Sequence, residues 1–298
     1  MNFIQYKRWL KEELFKIYKF DQTTYLSDIC YYFNPELSQF DYLVSDHDIS
    51  PFVIKETKKT LTYLRKTKLP IPYLLGFTYF DKMKIFLNKK TFIPRSITLE
   101  LASLVQEIIQ KEAVFSNAVL VDLCSGSGAL GFYFKKHFHN FNVICLEKNN
   151  LPINASLKNK ETLNLDVNIY KSNLLSYLIQ KKQSFNILVS NPPYIDVSET
   201  LNQSVKHEPK SALYTKKIAI YKKIFKELDQ AKHLVFKPFL FAFEINSKFS
   251  DLLKKERKKY RWMEHWYFLN SKVTNETVFL IISSLSLSYF KDDLNLLN

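Results

Sequence analysis

The chain has 298 residues, enough for one large domain and a smaller companion. With 46% hydrophobic and 24% charged residues, its composition is globular and excludes a wholly disordered protein. The net charge of +14 admits nucleic acid or another acidic partner. No apolar run approaches the roughly 20 residues needed to span a bilayer. The charge itself has two readings. The chain is rich in Lys, Asn, Phe, Tyr and Ile and has only four glycines, the pattern left by AT-biased coding DNA. The other reading is that the charge contributes to binding an acidic or ribosomal partner, while a local run such as "KKERKK" (Lys254 to Lys259) reads as a solvated helix face.

The opening stretch, "MNFIQYKRWLKEELF", is amphipathic and lacks a signal-peptide core. Phe3, Tyr6, Leu10, Leu14 and Ile17 recur at helical spacing. A second helix is predicted over Thr24 to Phe33. A third starts with Ser50 as cap and Pro51 in its first turn, and aligns Ile54, Thr57, Leu61 and Leu64. Residues 1–68 therefore read as a small helical domain. Residues 69–95 contain two partly alternating apolar segments with prolines near each end, and read as a hairpin linker.

From residue 96 to 298 a helix at Thr98 to Lys111 is followed by alternating strands and helices. Strands are predicted at 118–124, 142–147, 166–171, 185–191 and 239–245. Two more, at 262–269 and 277–285, are too close for an intervening helix and read as an antiparallel hairpin. The fold class is α/β: a mostly parallel, doubly wound sheet with an antiparallel C-terminal pair, plus the N-terminal helices. A ligand of such a sheet lies at the carboxyl ends of its strands. Cys30, Cys124 and Cys145 are widely spaced in apolar contexts, with neither a disulfide framework nor metal-ligand spacing. The expectation is a metal-free cytoplasmic protein, monomeric and without a membrane partner.

Two stretches carry chemistry. "VDLCSGSGALG" (Val121 to Gly131) leads from the first strand of the sheet into a helix and holds Gly126, Gly128 and Gly131. In a glycine-starved chain, that concentration implies a backbone that tolerates no side chain, either against a cofactor or in a tight strand-to-helix turn. Glu147, at the end of the next strand, sits where an acid accepts hydrogen bonds from ribose hydroxyls. The glycine motif alone allows a dinucleotide or S-adenosylmethionine. Asp122, together with a fourth strand ending in Asn191-Pro192-Pro193-Tyr194, resembles the methyltransferases that use S-adenosylmethionine. No hydride-transfer site accompanies the motif.

The second stretch is "VSNPPYI" (Val189 to Ile195). A planar amide or nucleobase nitrogen is a poor nucleophile because its lone pair is delocalised. Acceptors on both N–H groups return electron density to it and hold it in line with an incoming methyl. Asn191 offers a side-chain oxygen and Pro192 its carbonyl, while the two prolines restrict the backbone. Tyr194 can pack flat on the planar group. The plainer reading is a strand stopped by two prolines. Glutamine amides and adenine or cytosine amines fit this chemistry equally well.

The ordered set of motifs is similar to the HemK/PrmC-type glutamine methyltransferases of peptide-chain release factors. "PIPYLLG" (Pro70 to Gly76) resembles that family's approach to its linker hairpin. "FIPRS" (Phe92 to Ser96) resembles its Ile-Pro-Arg loop, and "DLCSGSGALG" its cofactor loop. "SNPPYI" resembles its catalytic loop and "HEPKSAL" (His207 to Leu213) its Glu-Pro-x-x-Ala-Leu segment. The resemblance implies a Rossmann-like domain bound to S-adenosylmethionine, and a helical N-terminal domain that docks the release factor. It also implies methyl transfer to the amide of the glutamine in the factor's Gly-Gly-Gln loop. Asp122, Gly126, Gly128, Gly131, Glu147, Asn173 and Asn191 would face the cofactor; Asn191, Pro192, Pro193 and Tyr194 would hold the substrate amide. Arg95 is expected to be structural.

The chain departs from the family in several places. Ser96-Ile97-Thr98-Leu99 replaces Pro-Glu-Thr-Glu, keeping only the threonine, with Glu100 displaced by one position. Asn173 stands where an acid often receives the adenine amine. "YTKKIAI" (Tyr214 to Ile220) replaces a glycine-rich stretch, and "LNSKVTNETVFL" lacks the acidic-glycine-arginine ending. A ribosomal-protein glutamine is an alternative substrate. Adenine in DNA or RNA is another, although no target-recognition insertion for a flipped base is evident.

Overall fold

The computed structural model describes residues 1–19, 23–34, 48–196, 198–199 and 203–290. The chain divides into two compact units: Met1–Gly76 with the segment ending at His207, and Phe77–Thr200 with Glu208–Asn298.

The first unit is helical: α1 (Phe3–Tyr18), α2 (Leu26–Phe33), α3 (Pro51–Thr67) and α4 (Ile71–Leu75). Asn2 caps α1 in a reciprocal box: its Oδ1 accepts from the Gln5 N–H at 2.9 Å, and Gln5 Oε1 accepts from the Asn2 N–H at 3.2 Å. The five residues predicted to line one face of α1 are all buried. Ser50 caps α3, accepting from the Val53 N–H at 3.3 Å. Tyr6 of α1 and Thr57 of α3 share a buried hydroxyl–hydroxyl bond of 2.7 Å. The helical unit extends past residue 68, because Ile71–Leu75 forms a helical turn instead of an extended segment. Pro72 fits the first turn of a helix, and Gly76, at φ +78°, ends it in the left-handed conformation.

The second unit opens with an antiparallel hairpin, β1 (Phe77–Phe80) and β2 (Met83–Phe86). Next come α5 (Ser96–Lys111), β3 (Val119–Leu123), α6 (Ala129–His137), β4 (Asn142–Glu147) and α7 (Asn150–Leu163). Then follow β5 (Asn168–Lys171), α8 (Ser176–Lys181), β6 (Phe185–Ser190), β7 (Ile195–Asp196), α9 (Lys210–Leu213) and β8 (Tyr214–Thr215). The unit closes with α10 (Ala219–Gln230), β9 (Val235–Asn246), α11 (Ser250–Glu256), β10 (His265–Asn270) and β11 (Thr277–Ser283).

Seven strands form the main sheet in the order β10-β11-β9-β6-β3-β4-β5. From β9 to β5 every pairing is parallel, whereas β11 runs antiparallel between β9 and β10. Its central strands are buried along nearly their whole length, as in a sheet covered on both faces. The chain leaves β3 toward β4 on one side and returns to β6 on the other. That reversal opens a crevice at the carboxyl ends of β3 and β6.

Candidate functional site

A cavity of about 320 Å³ occupies this crevice. The loops after β3, β4, β5 and β6 reach it, contributing Asp122 and Cys124 to Ser127, Glu147 to Asn149, Ser172 to Leu174, and Asn191 with Pro193. Phe92 and Pro94, Thr98 at the start of α5, and Pro209 with Ser211 complete much of the wall. Of the residues predicted from sequence, Asp122, Gly126, Glu147, Asn173, Asn191 and Pro193 line it.

The glycine loop is shaped by two different constraints. Gly126 has φ +55° with open space where a Cβ would stand, and its N–H donates to Glu147 Oε2 at 3.1 Å. Gly128 and Gly131 do not line the cavity, and protein atoms explain them. A Cβ on Gly128, at φ +80°, would meet the Phe132 ring at 2.6 Å; one on Gly131 would collide with the Cys145 sulfur of β4. Gly131 therefore sets how closely α6 lies on the sheet, while Gly128 leaves room for Phe132 and for Ser156 of α7.

Asp122 ties the same junction together, since its Oδ2 accepts from the Gly131 N–H at 2.9 Å. Burial pushes the Asp122 carboxyl up to about 7, and the Glu147 charge adds to the effect. Glu147 is anchored by Gly126 on Oε2 and by the Asn149 N–H on Oε1 at 2.8 Å. Oε1 also accepts from Asn149 Nδ2 at 3.2 Å, so Oε2 is the oxygen that retains capacity for another donor, such as a ribose hydroxyl. Asn173 is exposed at the end of β5.

The Asn-Pro-Pro-Tyr loop follows β6 directly. Asn191 donates from Nδ2 to Thr98 Oγ1 at 2.8 Å, and Thr98 donates to Glu244 Oε2 of β9 at 2.8 Å. Pro192 is buried. Tyr194 is not among the lining residues. Its ring packs against the main core, and its hydroxyl donates to Glu244 Oε1 at 2.9 Å. The structure thus gives this ring a place inside the fold rather than a face for a planar substrate group. Burial pushes Glu244 up to about 7 and the Tyr194 hydroxyl well above the ordinary phenol range.

Two motifs distant in sequence meet beside the cavity. Arg95 pairs with Glu208, whose other oxygen accepts from the Ile93 N–H at 3.1 Å. The "FIPR" and "HEP" segments are therefore one assembly, and Arg95 serves it structurally. Glu100, the displaced acid, accepts from Ser271 Oγ at 2.5 Å and from the Lys272 N–H at 2.6 Å. It fastens the β10–β11 turn, where the family's glycine-containing ending is missing. The replaced Tyr214–Thr215 pairs as β8 with β7, immediately after Tyr194.

Sequence reasoning missed Thr98 and Glu244 as partners of Asn191. The available signal was Glu244 itself, a lone charge inside the apolar strand "FLFAFEI".

The methyltransferase small domain matches residues 101–213. A release factor glutamine methyltransferase of Clostridium botulinum is 36% identical over 182 residues, or 59% of this chain. That match spans 61% of the C. botulinum protein's own length. The corresponding protein of Bacillus cereus is 30% identical over 201 residues, which cover 65% of this chain and 70% of that one. The chain belongs to the release factor glutamine methyltransferase family. Its fold is that of the S-adenosylmethionine-dependent methyltransferases. The N-terminal domain of human METTL16 in complex with SAH superposes with a TM-score of 0.52 at 14% identity, covering 68% of this chain and 76% of that one. Among the described residues, no helix is long and apolar enough to cross a membrane.

Proposed function

We propose that this protein methylates the side-chain amide nitrogen of the glutamine in the Gly-Gly-Gln loop of a peptide-chain release factor, using S-adenosylmethionine. The observation that carries the reading is the shared wall: Gly126 and Glu147 face the same cavity as Asn191. The residues fit the cofactor. Glu147 suits ribose hydroxyls, Asn173 an adenine amine, and Leu130, Leu146 and Leu174 supply apolar surface. Bound there, S-adenosylmethionine would supply an electrophilic methyl.

The chain's own task is then to make a weak nucleophile reactive. Asn191 Oδ1 and the Pro192 carbonyl accept the two N–H groups of the glutamine amide. This holds the nitrogen toward the methyl and strengthens its lone pair as charge develops. No strong base is needed, because an N-alkylated amide cation releases its proton readily. The helical first unit is the part we assign to docking the release factor.

The test offers release factor, ribosomes and DNA side by side with radiolabelled S-adenosylmethionine. Label is expected in the release factor, at the Gly-Gly-Gln glutamine. Label confined to nucleic acid would refute the reading. In the same assay Asn191→Ala should lower kcat by at least about 10²-fold. The dissociation constant for S-adenosylmethionine, measured by calorimetry, should change less than about threefold. Near-normal turnover would rule out the acceptor role of Asn191.

A further inference from the structure

Asn191 has a carboxamide, and a carboxamide can face a cavity in two ways. With Oδ1 inward it accepts a hydrogen bond; with Nδ2 inward it donates one. The first orientation suits an amide N–H, the second a carboxylate or carbonyl oxygen. The surrounding hydrogen bonds decide between them. Above its raised titration point of about 7, Glu244 is a carboxylate that can only accept, and it takes the Thr98 hydroxyl proton at 2.8 Å and the Tyr194 hydroxyl proton at 2.9 Å. Thr98 has one proton, and it is committed to Glu244. Toward Asn191, Thr98 can therefore only accept, and it must meet Nδ2, which it does at 2.8 Å. Thr98 and Glu244 are both buried, so water does not compete for the bond between them.

We propose that Thr98 and Glu244 are positioning residues that lock Asn191 with its Oδ1 toward the cavity, making the site select an amide N–H over a carboxylate of the same shape. The proposal rests on the reading of the cavity as a glutamine-amide site and deepens it. Glutamine and glutamate side chains are nearly isosteric, so shape cannot separate them. A fixed acceptor does, because it meets a donor on one and an oxygen lone pair on the other. Tyr194 completes the arrangement: Glu244 holds the first residue of the loop through Thr98 and the last one directly.

Two measurements test this on the full chain. The first needs no substrate. With ¹⁵N-asparagine labelling, the Asn191 side-chain signals are assigned by their loss in Asn191→Asp. One Nδ2 proton is expected to exchange with solvent at least about tenfold more slowly than those of exposed asparagines such as Asn173. Equal exchange would overturn the proposal whatever the enzyme methylates. The second measures kcat for release factor, and inhibition by release factor whose Gly-Gly-Gln glutamine is replaced by glutamate. The wild-type protein should bind the glutamate form at least about 10²-fold more weakly. Thr98→Val, which removes the hydroxyl and keeps the shape, should lose about 10²-fold in kcat and narrow that ratio to below tenfold. Thr98→Ser should recover most of both. An unchanged ratio in a folded Thr98→Val protein would overturn the proposal. A slowly exchanging Asn191 amide without turnover on release factor would instead refute the proposed substrate and leave the lock standing.

Discussion

At the residue scale, Asp122 shows how one buried carboxyl sets a pH dependence. Its folded value is raised to about 7 by burial, against an ordinary value of about 3.9 in an unfolded chain. The groups facing it are the Gly131 N–H, the Cys145 thiol and, at longer range, Glu147. Between those two pH values the folded protein keeps a proton that the unfolded chain has lost. Stability from this group therefore falls as pH rises through the window, by at most ~1.4 kcal/mol per pH unit, and levels off above it. Asp122→Asn keeps an acceptor for Gly131 and removes the titration. Its melting temperature should gain on the wild type from pH 5 to pH 7.5; a constant difference would show that the carboxyl does not titrate there. Single residues were unevenly legible in the sequence. The glycine cluster and Asn191 stood out by type and place. The partnership of Asn191 with Glu244 did not, because it passes through Thr98, which lies 93 positions from Asn191 and 146 from Glu244.

At the element scale, the contact of α6 with β4 depends on what is absent from position 131. A methyl group at Gly131 would collide with the Cys145 sulfur. Gly131→Ala should lower the free energy of unfolding by about 1–3 kcal/mol through overpacking. Cys145→Ala in the same chain should recover much of that loss. Urea unfolding of the two single variants and the double variant gives the coupling, and simple additivity would show that the sulfur is not what the methyl meets. Alternating strands and helices made the sheet readable, because each buried strand is an apolar run and each helix an amphipathic one. The placement of β11 between β9 and β10 was not readable, since a hairpin fixes only the pairing of its own two strands. The turn at Ile71–Leu75 was missed for a different reason: two prolines look extended unless the glycine that closes the helix is counted with them.

For the molecule as a whole, scarcity of glycine is a structural condition rather than a curiosity of composition. Among the described residues, three of the four glycines have positive φ, and nine other residues adopt it without being glycine. Lys19, Lys68, Asn164 and Lys182 do so as helix C-caps, the position glycine fills most easily. An ordinary L-residue there costs roughly 1–2 kcal/mol, partly offset by the greater freedom glycine has in the unfolded chain. Lys182→Gly should therefore raise the unfolding free energy by about 0.5–1 kcal/mol, read as a higher urea midpoint with an unchanged slope. A lower midpoint would mean that the lysine side chain contributes more than its backbone strain costs. At these caps the chain carries side chains where the backbone favours none, yet it has kept glycine where a Cβ would strike Phe132 or Cys145. Gly131, with no positive φ to explain it, is held by collision alone, whereas nine other positions tolerate the torsional strain, and the helix caps are where this fold has headroom to be made more stable.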